Sequence, residues 1–230
     1  ATEAAIARFD LGQEFTDEVL HEAKRFGNHV DPAEAATRVD LRNVPLVTID
    51  GADARDFDDA VYAERDGEDF RLLVAIADVS HYVRPGTMLD IEARARGTSV
   101  YFPNRVLPML PTALSNHLCS LEPHVDRLCM VADMRVTVRG ALKGWRVYPA
   151  VMRSAARLTY DQAYELLFSR NVAARAALGP LVERLEPLVE VYHALLRARS
   201  HRGALEFDAP EAKFVLSKEE QVRAIEFHSR

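Results

Sequence analysis

The sequence predicts an α+β (mixed α/β) chain: a largely antiparallel, twisted sheet with helices packed on it. Three observations carry this. From Leu128 to Arg139 apolar and polar residues alternate, with Leu128, Met130, Ala132, Met134, Val136 and Val138 facing one way; Gly140 then turns the chain into a second run through Trp145 and Val147. Leu72-Leu73-Val74-Ala75-Ile76-Ala77 is continuously apolar, the pattern of a central strand covered on both faces. Pro180 to Arg199 repeats Leu181, Leu185, Leu188, Tyr192, Leu195 and Leu196 at helical spacing, which predicts a long amphipathic helix with those residues on its buried side.

The remaining elements follow in order. Ala1 to Leu11 shows no clear cap or period. Phe15, Val19, Leu20 and Ala23 predict a helix over Phe15 to Phe26, stopped by Gly27. Asp31-Pro32-Ala33-Glu34 has the form of a helix start, and Asp40 to Pro45 reads as a loop. Leu46 to Ile49 is a short buried strand that delivers Asp50. Val61 to Glu64 and Arg71 to Ala77 form a strand pair joined by Asp66-Gly67-Glu68-Asp69. Thr87 to Arg96 is a helix closed by Gly97, and Ser99 to Phe102 a strand running into Pro103. Pro108 to Pro111 is an apolar loop and Ser115 to Leu121 a short helical or turn segment. Thr159-Tyr160-Asp161-Gln162 has capping-box form and opens a helix to about Phe168. Ala204 to Phe207, Lys213 to Leu216 and Val222 to Phe227 end the chain as strands.

The 230 residues are 48% hydrophobic, enough for one large domain or most of one. A net charge of −6 excludes a uniformly basic nucleic-acid binder, though not a local basic channel. Cys119 and Cys129 lie in apolar surroundings and read as buried thiols of a reducing compartment. No run approaches the roughly 18 apolar residues of a membrane helix, and no leader pattern opens the chain; the expectation is a cytoplasmic protein with no membrane partner. Ala1 is not an initiator Met and the last strand has little to cover it, so the chain reads as a segment of a longer polypeptide.

The chemistry concentrates in Asp50-Gly51-Ala52-Asp53-Ala54-Arg55-Asp56-Phe57-Asp58-Asp59, with five carboxylates in ten residues. Like charges about 4 Å apart cost roughly 4 kcal/mol per pair at an effective dielectric near 20. A hard cation between the oxygens removes that cost, and so does splaying into water. The pattern suggests Mg²⁺ held by Asp oxygens, with other positions left to water and phosphate. One or two such ions suit phosphoryl transfer to water. An EF-hand fails, because counting from Asp56 puts Ala60 at the fifth position and Gly67 at the twelfth. His21-Glu22 lacks a second His at the zinc-protease spacing, and no G-x-S-x-G, Walker A or G-x-G-x-x-G is present. Composition alone leaves a metal site and a solvated acidic turn both open. Asp53 reads as solvent-facing.

Several blocks resemble, in order and spacing, the ribonuclease II/ribonuclease R family of exoribonucleases. They are Asp50-Gly51-x-x-Ala54-Arg55-Asp56-Phe57-Asp58-Asp59-Ala60-Val61, Val74-Ala75-Ile76-Ala77-Asp78-Val79-Ser80, Arg94-x-Arg96-Gly97-Thr98-Ser99-Val100-Tyr101-Phe102-Pro103, Pro108-Met109-Leu110-Pro111 and Leu114-Ser115-Asn116-x-Leu118-Cys119-Ser120-Leu121. The likeness is to the bacterial ribonuclease R branch. It implies a processive, Mg²⁺-dependent 3′→5′ exoribonuclease that takes the 3′ end of single-stranded RNA and releases nucleoside 5′-monophosphates. It implies Asp50, Asp56, Asp58 and Asp59 as catalytic and metal-binding, and Tyr101, Tyr160 and Phe207 as RNA-binding. Residues 39–230 would then be the N-terminal portion of the catalytic (RNB) domain, and 1–38 the tail of a preceding cold-shock-like domain with its linker. The rest of the RNB domain and an S1 domain would be further partners in the same polypeptide. Two other readings stand beside this one: a catalytically inactive RNA-binding relative or inactive fragment, and a generic metal phosphoesterase. Arg55, and the basic run Arg197, Arg199, His201 and Arg202, are weaker candidates for charge balance and phosphate contact.

Overall fold

The computed structural model describes residues 2–169, 171–205, 211–217 and 222–228. Three helices come first: α1 (Thr2–Arg8), α2 (Asp17–Lys24) and α3 (Pro32–Ala35). Thr16 caps α2 by accepting from the Val19 N–H, and Asp31 caps α3 by accepting from the Ala33 N–H at 2.8 Å. Helix α1 was not expected. Among its residues only Ile6 is buried, so no periodicity marks it. It is tied down instead by tertiary bonds, Glu3 to Arg105 at 2.7 Å and Thr2 to Asn104 at 3.2 Å.

The chain continues through β1 (Val39–Leu41), β2 (Val47–Asp50), β3 (Asp59–Asp66), β4 (Asp69–Ala77), α4 (Val79–Tyr82) and α5 (Met88–Arg96). A small hairpin follows, β5 (Val100–Tyr101) with β6 (Val106–Leu107). Next comes a π-turn at Leu114–Leu118, where the Cys119 N–H reaches the Leu114 carbonyl at 2.8 Å. Then come β7 (Asp126–Val136), β8 (Leu142–Arg153), β9 (Ala156–Thr159), α6 (Tyr160–Leu167), α7 (Val172–Leu178), α8 (Leu181–His201), β10 (Glu211–Leu216) and β11 (Val222–His228).

Seven strands form one sheet in the order β1-β8-β7-β4-β3-β2-β9, while β10 and β11 pair by themselves. The inner pairs are antiparallel, and the two edge strands β1 and β9 run parallel to their neighbours. Part of the expected loop at Asp40 to Pro45 is therefore strand. Val39–Leu41 is too short to show a period, and its pairing partner, Ala150–Met152, lies over a hundred residues away.

Alternation along the strands sends side chains to two different cores. Ala60, Tyr62, Leu73, Ala75, Cys129, Val131, Ala150 and Met152 meet α2, α5 and the π-turn through Val19, Ala23, Leu89, Leu114 and Leu118. On the other face Ala63, Leu72 and Val136 meet Val191 and Ala194 of α8, and Val47 and Leu158 meet Leu166, Val182 and Leu185. The deepest side of β7 is thus the Cys129–Val131 side. Met130 and Ala132, placed by sequence on the apolar face, are half-buried, and Val138 is exposed. Strand β4 is central as expected, but Ile76 near its end is 46% exposed, so its second face is not fully covered. Helix α8 also differs in part. Leu185 is buried and Leu181 and Leu188 pack against the cores as expected, but in the second half Val191 and Ala194 face inward, leaving Tyr192 and Leu195 exposed. Pro187 sits inside α8 and removes one amide donor from it. Ala204 and Leu205 are irregular rather than strand, and the rest of the expected Ala204 to Phe207 strand lies outside the described residues.

Both cysteines are free and buried, and burial pushes each thiol up to about 12. Among the described residues no helix is long and apolar enough to cross a membrane.

Candidate active site

The acidic stretch lies where β2 and β3 part. The two strands share only the pair Val47↔Val61, so the chain from Gly51 to Asp58 leaves the ladder and returns to it at Asp59. The return is held by backbone bonds. The Phe57 N–H donates to Ser120 Oγ at 3.0 Å, and the Leu121 N–H donates to the Phe57 carbonyl at 2.8 Å. The Ala77 N–H donates to the Asp58 carbonyl at 2.8 Å, and the Phe57 ring is buried. Asp56 and Asp58 flank this anchored residue, so their starting directions are fixed by its backbone. Ser120 is itself fixed, because the buried Arg127 donates from Nε to its carbonyl at 2.7 Å and from Nη2 to Glu122 at 2.8 Å. This explains why the Leu114–Leu121 block accompanies the acidic one: it supplies the donors and acceptors that hold the loop. Removing the Ser120 hydroxyl strands the buried Phe57 N–H. Ser120→Ala is expected to cost about 1–3 kcal/mol of unfolding free energy, read from the midpoint of chemical denaturation.

The four acids form one electrostatic neighbourhood around Asp50. Burial first, then the charges of Asp59 and Asp58, push the Asp50 carboxyl above its ordinary value, and Asp56 adds to this while Arg157 opposes it. Asp58 and Asp59 are exposed at the rim of the site, and the Asp58 carboxyl is also raised, by the protein around it and by the charges of Asp56 and Asp59. Asp50 Oδ2 is buried with no hydrogen-bond partner, an acceptor left open inside the site. Among the described residues no group of three or more His, Cys, Asp or Glu side chains is placed to hold a metal ion by itself. Mg²⁺ does not require one, since it keeps several waters and takes one or two carboxylates plus substrate phosphate. An all-oxygen donor set, mutual repulsion and an orphaned buried oxygen fit such an ion.

The aromatic candidates divide. The Tyr101 hydroxyl donates to Asp56 Oδ2 at 3.1 Å while the residue stays 65% exposed, so its ring stands at the edge of the acids. Burial and then the Asp56 charge raise its phenol. Tyr160 is the first residue of α6, with Thr159 and Gln162 closing the capping box. Asp50 pairs with Thr159 in the parallel β2–β9 ladder, which sets Tyr160 one residue beyond the partner of Asp50; it is 64% exposed. Phe207 lies outside the described residues.

Asp53 and Arg55 are exposed. The basic run at the end of α8 belongs elsewhere. Arg197 donates to the Val138 carbonyl at 3.3 Å, past the Phe70↔Val136 end of the sheet, whereas Asp59 pairs with Ile76 at the other end. Six residues of strand separate those ends, roughly 20 Å. Two surface clefts, one lined by Asp17, Glu22 and Met88 and one by Arg71, Asp133 and Trp145, contain none of the four acids.

Sequence reasoning did not single out Arg157. It sits on β9 beside Thr48, and its Nη2 donates to the carbonyls of Gly51 and Ala52, each at 2.9 Å. Its guanidinium carbon lies 5.1 Å from the centre of the Phe57 ring. A lone Arg in a short strand carries no local signal, and only the parallel register brings it to the loop.

Fold and site together define a mixed sheet that gathers aspartates at the opening between two central strands, flanked by exposed tyrosines. The RNB domain family model matches residues 38–230, and the chain belongs to that family. It is 57% identical over 197 residues to Ribonuclease R of Escherichia coli (strain K12), covering 85% of this chain and 24% of the relative. The solved Mycoplasma genitalium RNase R in complex with ribose methylated single-stranded RNA superposes with a TM-score of 0.88 at 30% identity, over 98% of this chain and 35% of that one. Yeast Ssd1, a pseudonuclease, shares the fold alone, with a TM-score of 0.57 at 16% identity over 71% of this chain and 20% of that one. The chain spans about a quarter to a half of the length of the curated relatives it matches.

Proposed function

We propose that the polypeptide containing this chain is a hydrolytic 3′→5′ exoribonuclease that processively shortens single-stranded RNA to nucleoside 5′-monophosphates in the cytoplasm. The observation that carries it is the set of four acids, all present in one electrostatic neighbourhood, in a chain so similar to a Ribonuclease R. Fold by itself would not support it, because a pseudonuclease shares the fold.

Asp50 and Asp59 would hold Mg²⁺ most directly, with Asp56 and Asp58 completing the acidic wall. The ion, one or two in number, would supply a Lewis acid for the scissile phosphate and a deprotonated water at neutral pH. Asp50 offers its unpartnered buried oxygen, and Asp58, with its raised carboxyl, is the acid least replaceable for the chemistry. Tyr101 and Tyr160 would stack on terminal nucleotides, with Phe207 as a third aromatic. Stacking accepts every base and contributes roughly 1–3 kcal/mol per base. Residues 39–230 would be the first portion of the RNB domain, completed by later segments of the same polypeptide. Residues 1–38 would close a cold-shock-like domain, and an S1 domain would follow the RNB domain.

Labelled single-stranded RNA and DNA, incubated with the intact polypeptide in Mg²⁺ or EDTA, test the reading. Monophosphates from RNA alone, abolished by EDTA, are expected. Binding without cleavage would favour an inactive relative, and equal cleavage of DNA a general phosphoesterase. Tyr101→Ala is expected to change the length of the limit fragment, read on a sequencing gel, because the ring sets how short an RNA is still gripped. An unchanged limit fragment would return Tyr101 to a packing role.

A further inference from the structure

The acids are split along the chain. Asp50 precedes the turn at Gly51–Ala52, while Asp56, Asp58 and Asp59 follow it. The later three are anchored through Phe57 to Ser120 and Leu121. What fixes Asp50 relative to them is a separate matter, because β2 and β3 share only Val47↔Val61 and do not pair beside the acids.

One side chain touches both halves. Arg157 holds the carbonyls of Gly51 and Ala52 from a single nitrogen, and the same planar group lies over the Phe57 ring. Its own backbone is fixed to β2 by the parallel pairs Thr48↔Arg157 and Asp50↔Thr159. We propose that Arg157 is a positioning residue that sets the spacing between Asp50 and the other three acids, and so the geometry in which a divalent ion is taken up. This rests on the exoribonuclease reading for its function, though not for its geometry. Arg157 touches neither substrate nor ion in this role; it acts through the Gly51–Ala52 turn and the Phe57 ring.

The role needs an arginine. A flat, rigid guanidinium donates in its plane and stacks on an aromatic face at once. A lysine ammonium supplies the charge as a point on a flexible stem, without the flat surface. The positive charge also opposes the upward shift of the Asp50 carboxyl, which agrees with the placement. Arg157 Nε is buried without a partner, so the group is held for what its terminal nitrogen and its face do, at the cost of one idle donor.

The test uses Arg157→Ala and Arg157→Lys in the intact polypeptide with three readouts. The first is amide hydrogen exchange of the metal-free protein at Ala54, whose N–H donates to the Gly51 carbonyl at 3.2 Å. The second is the Mn²⁺ dissociation constant from calorimetric titration. The third is kcat and KM on single-stranded RNA. Loss of a group that orients metal ligands typically costs 10–100-fold in affinity or rate. Arg157→Ala is expected to speed Ala54 exchange and weaken Mn²⁺ by about tenfold or more, and to lower kcat while KM for RNA stays within about twofold. Lysine is expected to recover little of any of them. Wild-type exchange and Mn²⁺ affinity in Arg157→Ala would overturn the proposal. Full rescue by lysine would overturn it too, since charge alone would then suffice. General acceleration of exchange across the sheet would make Arg157 a stability residue, again overturning it; if the alanine variant does not fold, the lysine variant decides. A wild-type protein that binds Mn²⁺ but hydrolyses no RNA would defeat the exoribonuclease reading, leaving the exchange and Mn²⁺ results to judge Arg157.

Discussion

Asp58→Asn in the intact polypeptide is expected to lower hydrolysis of single-stranded RNA by about a hundredfold or more while RNA affinity stays within about twofold. The magnitude is that of removing one well-placed electrostatic contributor from a reaction centre. Asparagine keeps the shape and one oxygen, and the Ala77 bond to the Asp58 backbone carbonyl does not depend on the side chain. The loop therefore keeps its path and the exposed tyrosines keep their places. If binding collapsed together with cleavage, Asp58 would be holding RNA or the loop. Single-turnover cleavage beside filter or fluorescence binding separates the two.

The same substitution carries a stability signature of opposite sign. The Asp58 carboxyl is raised in the folded chain by desolvation and by Asp56 and Asp59. A raised carboxylate means that folding disfavours its charged form, so the ionised group destabilises the native state above its folded pKa. Below the ordinary carboxylate range the acid is protonated in both states and the penalty vanishes. Without metal, Asp58→Asn is expected to melt higher than the wild type at neutral pH, with the difference shrinking as the pH falls through the acid range. Loss of activity together with a gain in metal-free stability would mark a site strained for function.

Gly140→Val is expected to cost about 3 kcal/mol of stability. Gly140 has φ +77°, a conformation that disfavours a β-branched side chain. A Cβ there would also sit 2.2 Å from the Ala194 carbonyl oxygen and 2.7 Å from the Ala198 Cβ. The obstacle is helix backbone rather than the end of a flexible side chain, so α8 would have to move off the β7–β8 turn. That movement would disturb the contact of Val191 and Ala194 with Leu72 and Val136. Gly144 serves as the control: it has nothing within 4 Å of its built Cβ, and Gly144→Ala is expected to stay within about 0.5 kcal/mol. Urea denaturation of both variants measures the difference. Equal midpoints would mean that the turn and α8 are not packed as described.

How much of this could be read beforehand depended on range. Local signals were reliable. The Thr159–Gln162 capping box, the Thr87 and Gly97 ends of α5, the tight turn between β3 and β4, and the strand that delivers Asp50 all appear where the residues place them. Each is set by neighbours within four or five positions, so the sequence carries the whole cause. Helix α1, the edge strands β1 and β9 and the inward face of the second half of α8 escaped, because each is fixed by a partner distant in the chain.

The site divides the same way. The sequence determined which acids are available, Asp50, Asp56, Asp58 and Asp59, and its likeness to known exoribonucleases named Tyr101 and Tyr160 beside them. Only the tertiary structure decided that Ser120 and Arg127 hold the Phe57 backbone, that Tyr101 donates to Asp56, and that Arg157 reaches across from β9 to the turn after Asp50. The physical reason is that repelling carboxylates cannot position one another. They must be held by donors that the fold brings in from elsewhere, and those donors lie about 45 to 106 residues along the chain.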